Sequence, residues 1–288
     1  MLGKHLLGLY EKALPPEMNW EERLQAAKDL GYDYVEISID EKDERMARLD
    51  WSDEEKKALH KAIEKTGVQI PSMCLSCHRR FPYGSKDPDV RQKAHELTEK
   101  AILFCREFGI RVIQLAGYDV YYEESTEESL RYFLAGLRSA ARLAEKYQVM
   151  LAMEIMDTKL MSSISRYKCY KEEIPSPWFT VYPDLGNLTA WGNDVPTELK
   201  IGIHEIVGVH LKDTLAVTPT FPGQFKCVTF GEGCVNFAEE LRILEKLGYA
   251  GPYMMEMWYQ DGMNWKEYIT KARHFMEDQF KKGVIEIA

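Results

Sequence analysis

Four short segments of the chain carry metal-competent side chains among apolar neighbours. MEIMD supplies Glu154 and Asp157, YPDLGN supplies Asp184 and Asn187, VHLKD supplies His210, Lys212 and Asp213, and MMEMW supplies Glu256. Taken singly, a Glu inside an apolar run is as readily a satisfied buried carboxylate, and a lone His as readily a structural one. Taken together the bland reading weakens, because three buried carboxylates crowded into one place repel one another unless a cation joins them. Glu154, Asp184, His210 and Glu256 form a borderline-hard donor set suited to Mn²⁺, Co²⁺, Zn²⁺ or Mg²⁺. The expectation is one divalent metal ion, its identity left open.

Such residues meet only if the segments that bear them are neighbouring strands ending on one side of a sheet. The pattern of the chain supplies that frame. Strand-like runs are expected at Leu6–Tyr10, Tyr34–Ile39, Val68–Leu75, Arg111–Leu115, Met150–Ile155, Phe179–Tyr182, Ile206–Leu211 and Pro252–Met257. Helices are expected between them. One covers Trp20–Leu30, closed by Gly31 where a helix C-cap favours glycine. The next opens at Ser52 with Glu55 three residues on, a capping-box spacing, and stops near Gly67. Others run over Pro88–Phe108, Glu127–Tyr147, Ile164–Glu173, Val195–Ile203, Asn236–Leu247 and Trp265–Phe280. Near-continuous apolar strands are those of a parallel sheet buried on both faces. Eight strand–helix units without a linker predict a single (β/α)8 TIM barrel over residues 1–288, in the α/β class, with its chemistry at the C-terminal strand ends. The alternative, an open doubly wound sheet, wants a Gly-rich turn after strand one, and the chain has YEKALPP there.

Composition narrows the function. The chain is 45% hydrophobic and 29% charged, enough for a sizeable core, and its formal net charge of −9 argues against a nucleic-acid surface. A small anionic substrate stays open, since a few local cations hold one phosphate. Six cysteines and no apolar leader predict reduced thiols and a cytoplasmic setting, and no apolar run approaches a membrane span. Cys74 and Cys77 form a lone CxxC with no second pair nearby, so no structural zinc is expected there.

GIRVIQLAGYDVYY, AMEIMD, YPDLGNLTAW, HLKDT, FGEG, GPYMMEMW and the earlier PSMCLSCHRRFPYGS together resemble the L-ribulose/L-xylulose 5-phosphate 3-epimerases of the xylose-isomerase-like barrel superfamily. The resemblance spans nearly the whole chain, and HxKD alone would indicate only the superfamily. It implies a sugar-phosphate 3-epimerase, an isomerase of pentose or L-ascorbate catabolism, acting on a ketopentose 5-phosphate. It carries over Glu154, Asp184, His210 and Glu256 as metal ligands and Glu154 with Glu256 as the acid–base pair. A base on one face of C3 and an acid on the other would invert that centre through an enediolate. Asn187 is expected to hydrogen-bond the head of the substrate. Lys212 either neutralises enediolate charge or faces outward.

With the head of the substrate on strands five to eight, its phosphate is expected near strands one to three, where Lys12, His78, Arg79 and Arg80 are available. The backbone N–H groups of Gly231–Gly233 rank second. An aldose–ketose isomerase or a free-ketose 3-epimerase on the same ligands is the alternative activity. An AP endonuclease would need several histidines at strand ends, whereas only His78 and His210 lie there and Asn187 stands three residues after Asp184. A non-catalytic sugar binder has no need of paired glutamates. Tyr118–Tyr122 would either support a homodimer or roof the pocket.

Overall fold

The computed structural model describes residues 1–285. Its eight strands are β1 (Leu7–Tyr10), β2 (Tyr34–Ile39), β3 (Ser72–Leu75), β4 (Val112–Leu115), β5 (Met150–Glu154), β6 (Phe179–Tyr182), β7 (Val209–Leu211) and β8 (Tyr253–Met255). They pair in parallel in the order β6-β5-β4-β3-β2-β1-β8-β7. Two parallel bridges, Val181↔Ile206 and Asp184↔His210, close the ring between β6 and β7. The helices are α1 (Trp20–Asp29), α2 (Asp43–Met46), α3 (Asp53–Thr66), α4 (Pro88–Phe108), α5 (Glu127–Tyr147), α6 (Ile164–Glu173), α7 (Leu185–Ala190), α8 (Val195–Gly202), α9 (Phe237–Lys246) and α10 (Trp265–Ile285). This is the TIM barrel that the alternation of elements predicts.

Local chemistry sets the boundaries. The expected capping box is present: Ser52 Oγ accepts from Glu55 N–H and Glu55 Oε2 from Ser52 N–H, and α3 ends on Gly67 at φ 73°. Six strands are shorter than expected, β1, β3, β4, β5, β7 and β8, most of all β3. Pro71 has no N–H to give the ladder, so β3 begins at Ser72 and only Gln69 bridges Tyr34 beforehand. Ile206 meets β6 only in an isolated bridge, and β7 begins its ladder with β8 at Val209. Leu6 is exposed and lies outside β1. The short helices α2 and α7 and the 3₁₀ turns Glu11–Ala13, Ala47–Asp50, Cys77–Arg79 and Lys159–Met161 were not foreseen, and two of them shape the site.

The main apolar core lies between strands and helices, while a second small cluster of Tyr10, Tyr34, Cys74 and Met254 fills the lumen of the ring. Period-two alternation sends one side chain in and the next out along each strand. Inside, Tyr34 Oη donates to Tyr253 O at 3.0 Å, and the Tyr182 and His210 rings meet edge to face at 4.7 Å. Gly8 makes room for this layer, since a Cβ there would lie 2.2 Å from the Tyr34 ring. Above the tyrosines the lumen turns polar, and the site begins.

Candidate active site

Glu154 ends β5, Asp184 follows β6, His210 lies within β7 and Glu256 follows β8, so adjacent strands deliver one donor each to the same rim. One ligand atom from each of the four lies within 4.8 Å of all the others, and all four residues are buried. His210 Nδ1 stands 3.6 Å from Glu154 Oε1, 3.8 Å from Asp184 Oδ2 and 3.9 Å from Glu256 Oε2. Asp184 is also the N-cap of α7: its Oδ1 accepts from Asn187 N–H at 2.7 Å, leaving Oδ2 for the centre. Asp184 Oδ2 and Glu256 Oε2 are buried and accept no well-directed hydrogen bond. Three carboxylates, one imidazole and free lone pairs aimed at a common point are a fit for a divalent cation.

Charge supports the same reading. Lys212 faces inward, with Nζ 3.0 Å from Asp184 Oδ2 and 2.9 Å from Glu256 Oε2, which settles its orientation. Its ammonium, together with the His210 ring, faces the three clustered carboxylates. Burial pushes the Asp184 carboxyl up to about 7, with Lys212 pulling the other way. Burial also pushes Glu154 up, opposed by its hydrogen bond with His210. Burial acts upward on Glu256 too, but the Lys212 and His210 charges overcome it and hold the carboxyl down, at about 2. His210 is raised well above its ordinary value because Glu36 and Glu154 outweigh desolvation. The two glutamates that flank the centre are therefore shifted in opposite directions.

A small cavity of ≈ 50 Å³ opens over these residues, and its lining includes Lys12, Arg79, Asp157, Asn187, Lys226 and Trp258. Lys12 Nζ pairs with Asp40 Oδ2 at 2.6 Å, and Arg79 reaches Glu41 Oε1 at 3.4 Å while stacking on Tyr121. Asn187 Nδ2 donates to Ile155 O at 2.8 Å, and its buried Oδ1 is without a partner.

Three expectations need correction. His78 is buried against α4, with Nε2 3.0 Å from Thr98 Oγ1 and its ring stacked on Tyr83, so it does not line the cavity. Arg80 turns outward to Asp43 at 2.6 Å. The N–H groups of Gly231 and Gly233 do not face a ligand, because both donate to Asp213 Oδ2, at 2.8 and 3.0 Å. Conversely, sequence pattern singled out neither Glu36, Gln114, Tyr10, Lys226 and Trp258 nor, beyond its CxxC pairing, Cys74. Glu36 and Gln114 touch His210, and the other four line the cavity. A polar residue at an inward, alternate position of an apolar strand is the signal that would have found Glu36 and Gln114. The CxxC thiols are both buried and free, Cys74 at the cavity and Cys77 in the main core. Among the described residues no helix is long and apolar enough to cross a membrane.

Comparison with known proteins agrees with this architecture. The model of the xylose isomerase-like TIM barrel family matches residues 24–279. UlaE of Escherichia coli O139:H28, an L-ribulose-5-phosphate 3-epimerase, is 52% identical over 290 residues, covering 100% of both chains. SgbU of Escherichia coli (strain K12) is 54% identical over 282 residues, covering 98% of this chain and 99% of SgbU. The crystal structure of D-allulose 3-epimerase from Methylomonas sp. superposes with a TM-score of 0.76 at 16% identity, covering 96% of this chain and 98% of its own, a likeness of fold. Full-length identity above one half, on a barrel whose strand ends assemble this donor set, places the chain: it belongs to the xylose isomerase-like TIM barrel family and, within it, to the L-ribulose-5-phosphate 3-epimerases.

Proposed function

We propose that this chain, with one divalent cation, interconverts L-ribulose 5-phosphate and L-xylulose 5-phosphate by moving a proton at C3. The observation that carries the reading is the convergence of Glu154 and Glu256, from β5 and β8, on one cavity with opposite shifts in proton affinity. Glu154, Asp184, His210 and Glu256 would hold the cation, which would supply a fixed positive charge where negative charge develops on the substrate oxygen. The C3 hydrogen is weakly acidic because it lies α to the C2 carbonyl. One glutamate takes that proton as its carboxylate, and the electron pair passes into the enediolate. The other glutamate delivers a proton to the opposite face of C3, so the centre inverts and no atom is gained or lost. Lys212, buried beside Glu256 and Asp184, places an ammonium where it offsets the enediolate charge. The unpartnered Asn187 Oδ1 accepts from a hydroxyl of the sugar head. Lys12 and Arg79, which line the same cavity, take the phosphate.

The test is product analysis in D₂O. Chelated protein should be inactive on L-ribulose 5-phosphate, and Mn²⁺, Co²⁺ or Zn²⁺ added back should yield L-xylulose 5-phosphate carrying deuterium at C3. An aldopentose product with label at C2 would instead establish aldose–ketose isomerisation.

A further inference from the structure

The centre has a residue behind it that the proposed reaction does not use. Glu36, in the middle of β2, is fully buried in the lumen. Its Oε2 accepts from Ser72 Oγ at 2.6 Å, and its Oε1 lies 3.2 Å from His210 Nε2. Among the described residues the His210 ring is the one ion-pair partner recorded for it. A carboxylate in such a place is costly unless a partner demands it. The partner here is the ring whose other nitrogen, Nδ1, faces Glu154, Asp184 and Glu256.

A neutral imidazole has one N–H and one lone pair. If the proton sat on Nδ1, it would occupy the place of the cation, and Glu36 would face a lone pair across 3.2 Å. With the proton on Nε2, the N–H donates to Glu36 and the Nδ1 lone pair is directed at the three carboxylates. Gln114 Nε2, 3.1 Å from each ring nitrogen, also competes for the ring, but a neutral amide holds it less strongly than a charge-assisted hydrogen bond does. Ser72 in turn fixes the Glu36 carboxylate, so β2 and β3 orient a donor that β7 supplies from across the barrel.

We propose that Glu36 is a positioning residue that sets the tautomer and ring plane of His210 and thereby the affinity of the centre for a divalent cation. This inference rests on the cation site proposed above. Removing a partner of this kind weakens metal binding on the order of 10- to 100-fold.

The experiment titrates the metal-free full-length protein with Co²⁺ alone, reading the visible absorption of the bound ion. Wild type, His210→Ala, Glu36→Gln, Glu36→Ala and Ser72→Ala are compared. In parallel, nitrogen NMR of ¹⁵N-histidine-labelled, Zn²⁺-loaded protein reports which His210 nitrogen bears the proton. Glu36→Ala should raise the Co²⁺ Kd about 10- to 100-fold. Glu36→Gln, which keeps an acceptor oxygen, should raise it less and retain the Nε2–H tautomer, and Ser72→Ala should have the smallest effect. If Glu36→Ala fails to fold, the Glu36→Gln shift in Kd and the wild-type tautomer decide the matter. Wild-type affinity in every folded Glu36 variant, or an Nδ1–H tautomer in the wild type, overturns the inference about Glu36. Equal Co²⁺ binding by wild type and His210→Ala overturns the cation site itself, a separate failure.

Discussion

Glu154 and Glu256 carry the central claim, and amide replacement isolates it. Glu154→Gln and Glu256→Gln preserve volume and one oxygen but remove the proton-transfer group, so each should abolish epimerisation. Each retained carboxylate can still exchange the C3 proton of the epimer whose hydrogen faces it. The two variants should therefore wash solvent deuterium into different epimers without interconverting them. A single variant that epimerises at the wild-type rate, or two variants labelling the same epimer, would point to a one-base route. Arg79 makes a second prediction. Its guanidinium faces the cavity, held by the 3.4 Å contact to Glu41 and the Tyr121 ring. Losing a charge-assisted hydrogen bond costs about 1.5–3 kcal/mol, so Arg79→Ala should raise KM for the ketopentose phosphate roughly ten- to a hundredfold with kcat little changed. An unchanged KM would move the phosphate to Lys12 or Lys226, since Asp213 already takes the N–H groups of Gly231 and Gly233.

The end of β7 is held by the loop that follows it. Asp213 accepts from the N–H groups of Thr214, Gly231, Gly233 and Val235, at 3.0, 2.8, 3.0 and 3.3 Å. One buried carboxylate thus ties residues 231–235 back onto the strand end that bears His210 and Lys212. Gly233 is required by this closeness, because a Cβ there would lie 2.0 Å from Asp213 Oδ1. Asp213→Asn replaces an acceptor with an N–H₂ group that faces other donors. It should cost about 1–3 kcal/mol. The melting temperature then falls by roughly 2–4 °C for each kcal/mol. Gly233→Ala should act in the same direction. A melting temperature unchanged in both variants would show that the loop is not held through Asp213.

The burial of so many acids in one barrel has a consequence for the whole protein. Asp184 is raised to about 7 and Glu240 to about 8, both by burial first, and Glu154 is raised as well. A carboxyl raised on folding binds its proton more tightly in the folded state than at its unfolded value, near about 4. It therefore favours folding at low pH and withdraws that support as pH rises through the folded value. The metal-free protein should lose stability between about pH 6.5 and pH 8, above the range in which His78, lowered to about 4 by burial, adds stability as the pH rises. Glu256, lowered to about 2, has the opposite sign, but its contribution is lost only as the pH falls below its unfolded value, outside this window. Cation binding at 100 times Kd should add about 2.7 kcal/mol. It should also flatten the slope, since it holds Asp184 and Glu154 ionised. Melting curves across this range, chelated and with Mn²⁺, measure both effects. A chelated protein that grows more stable toward pH 8 would contradict the assignment.

Glu154, Asp184, His210 and Glu256 were legible because each stands at or beside the end of an apolar strand run, where position along the chain alone places a side chain on the rim. The (β/α)8 order was legible for a similar reason: caps such as Ser52–Glu55 and Gly67 are local chemistry. The three residues of Cys77–Arg79 show where local reading stops. They form a 3₁₀ turn, in which successive side chains point about 120° apart. That rotation sends His78 into α4 and Arg79 into the cavity, with Arg80, just beyond the turn, facing solvent. Their shared basic character gives no hint of this division. Asp213 and the Gly231–Gly233 loop are 18 or more residues apart, so only the folded chain reveals that the loop's donors are already taken. Glu36 and Gln114 reach His210 from strands on the far side of the ring, over separations of 174 and 96 residues. Strand pattern says which residues alternate, but the closure of the barrel decides which inward side chains meet.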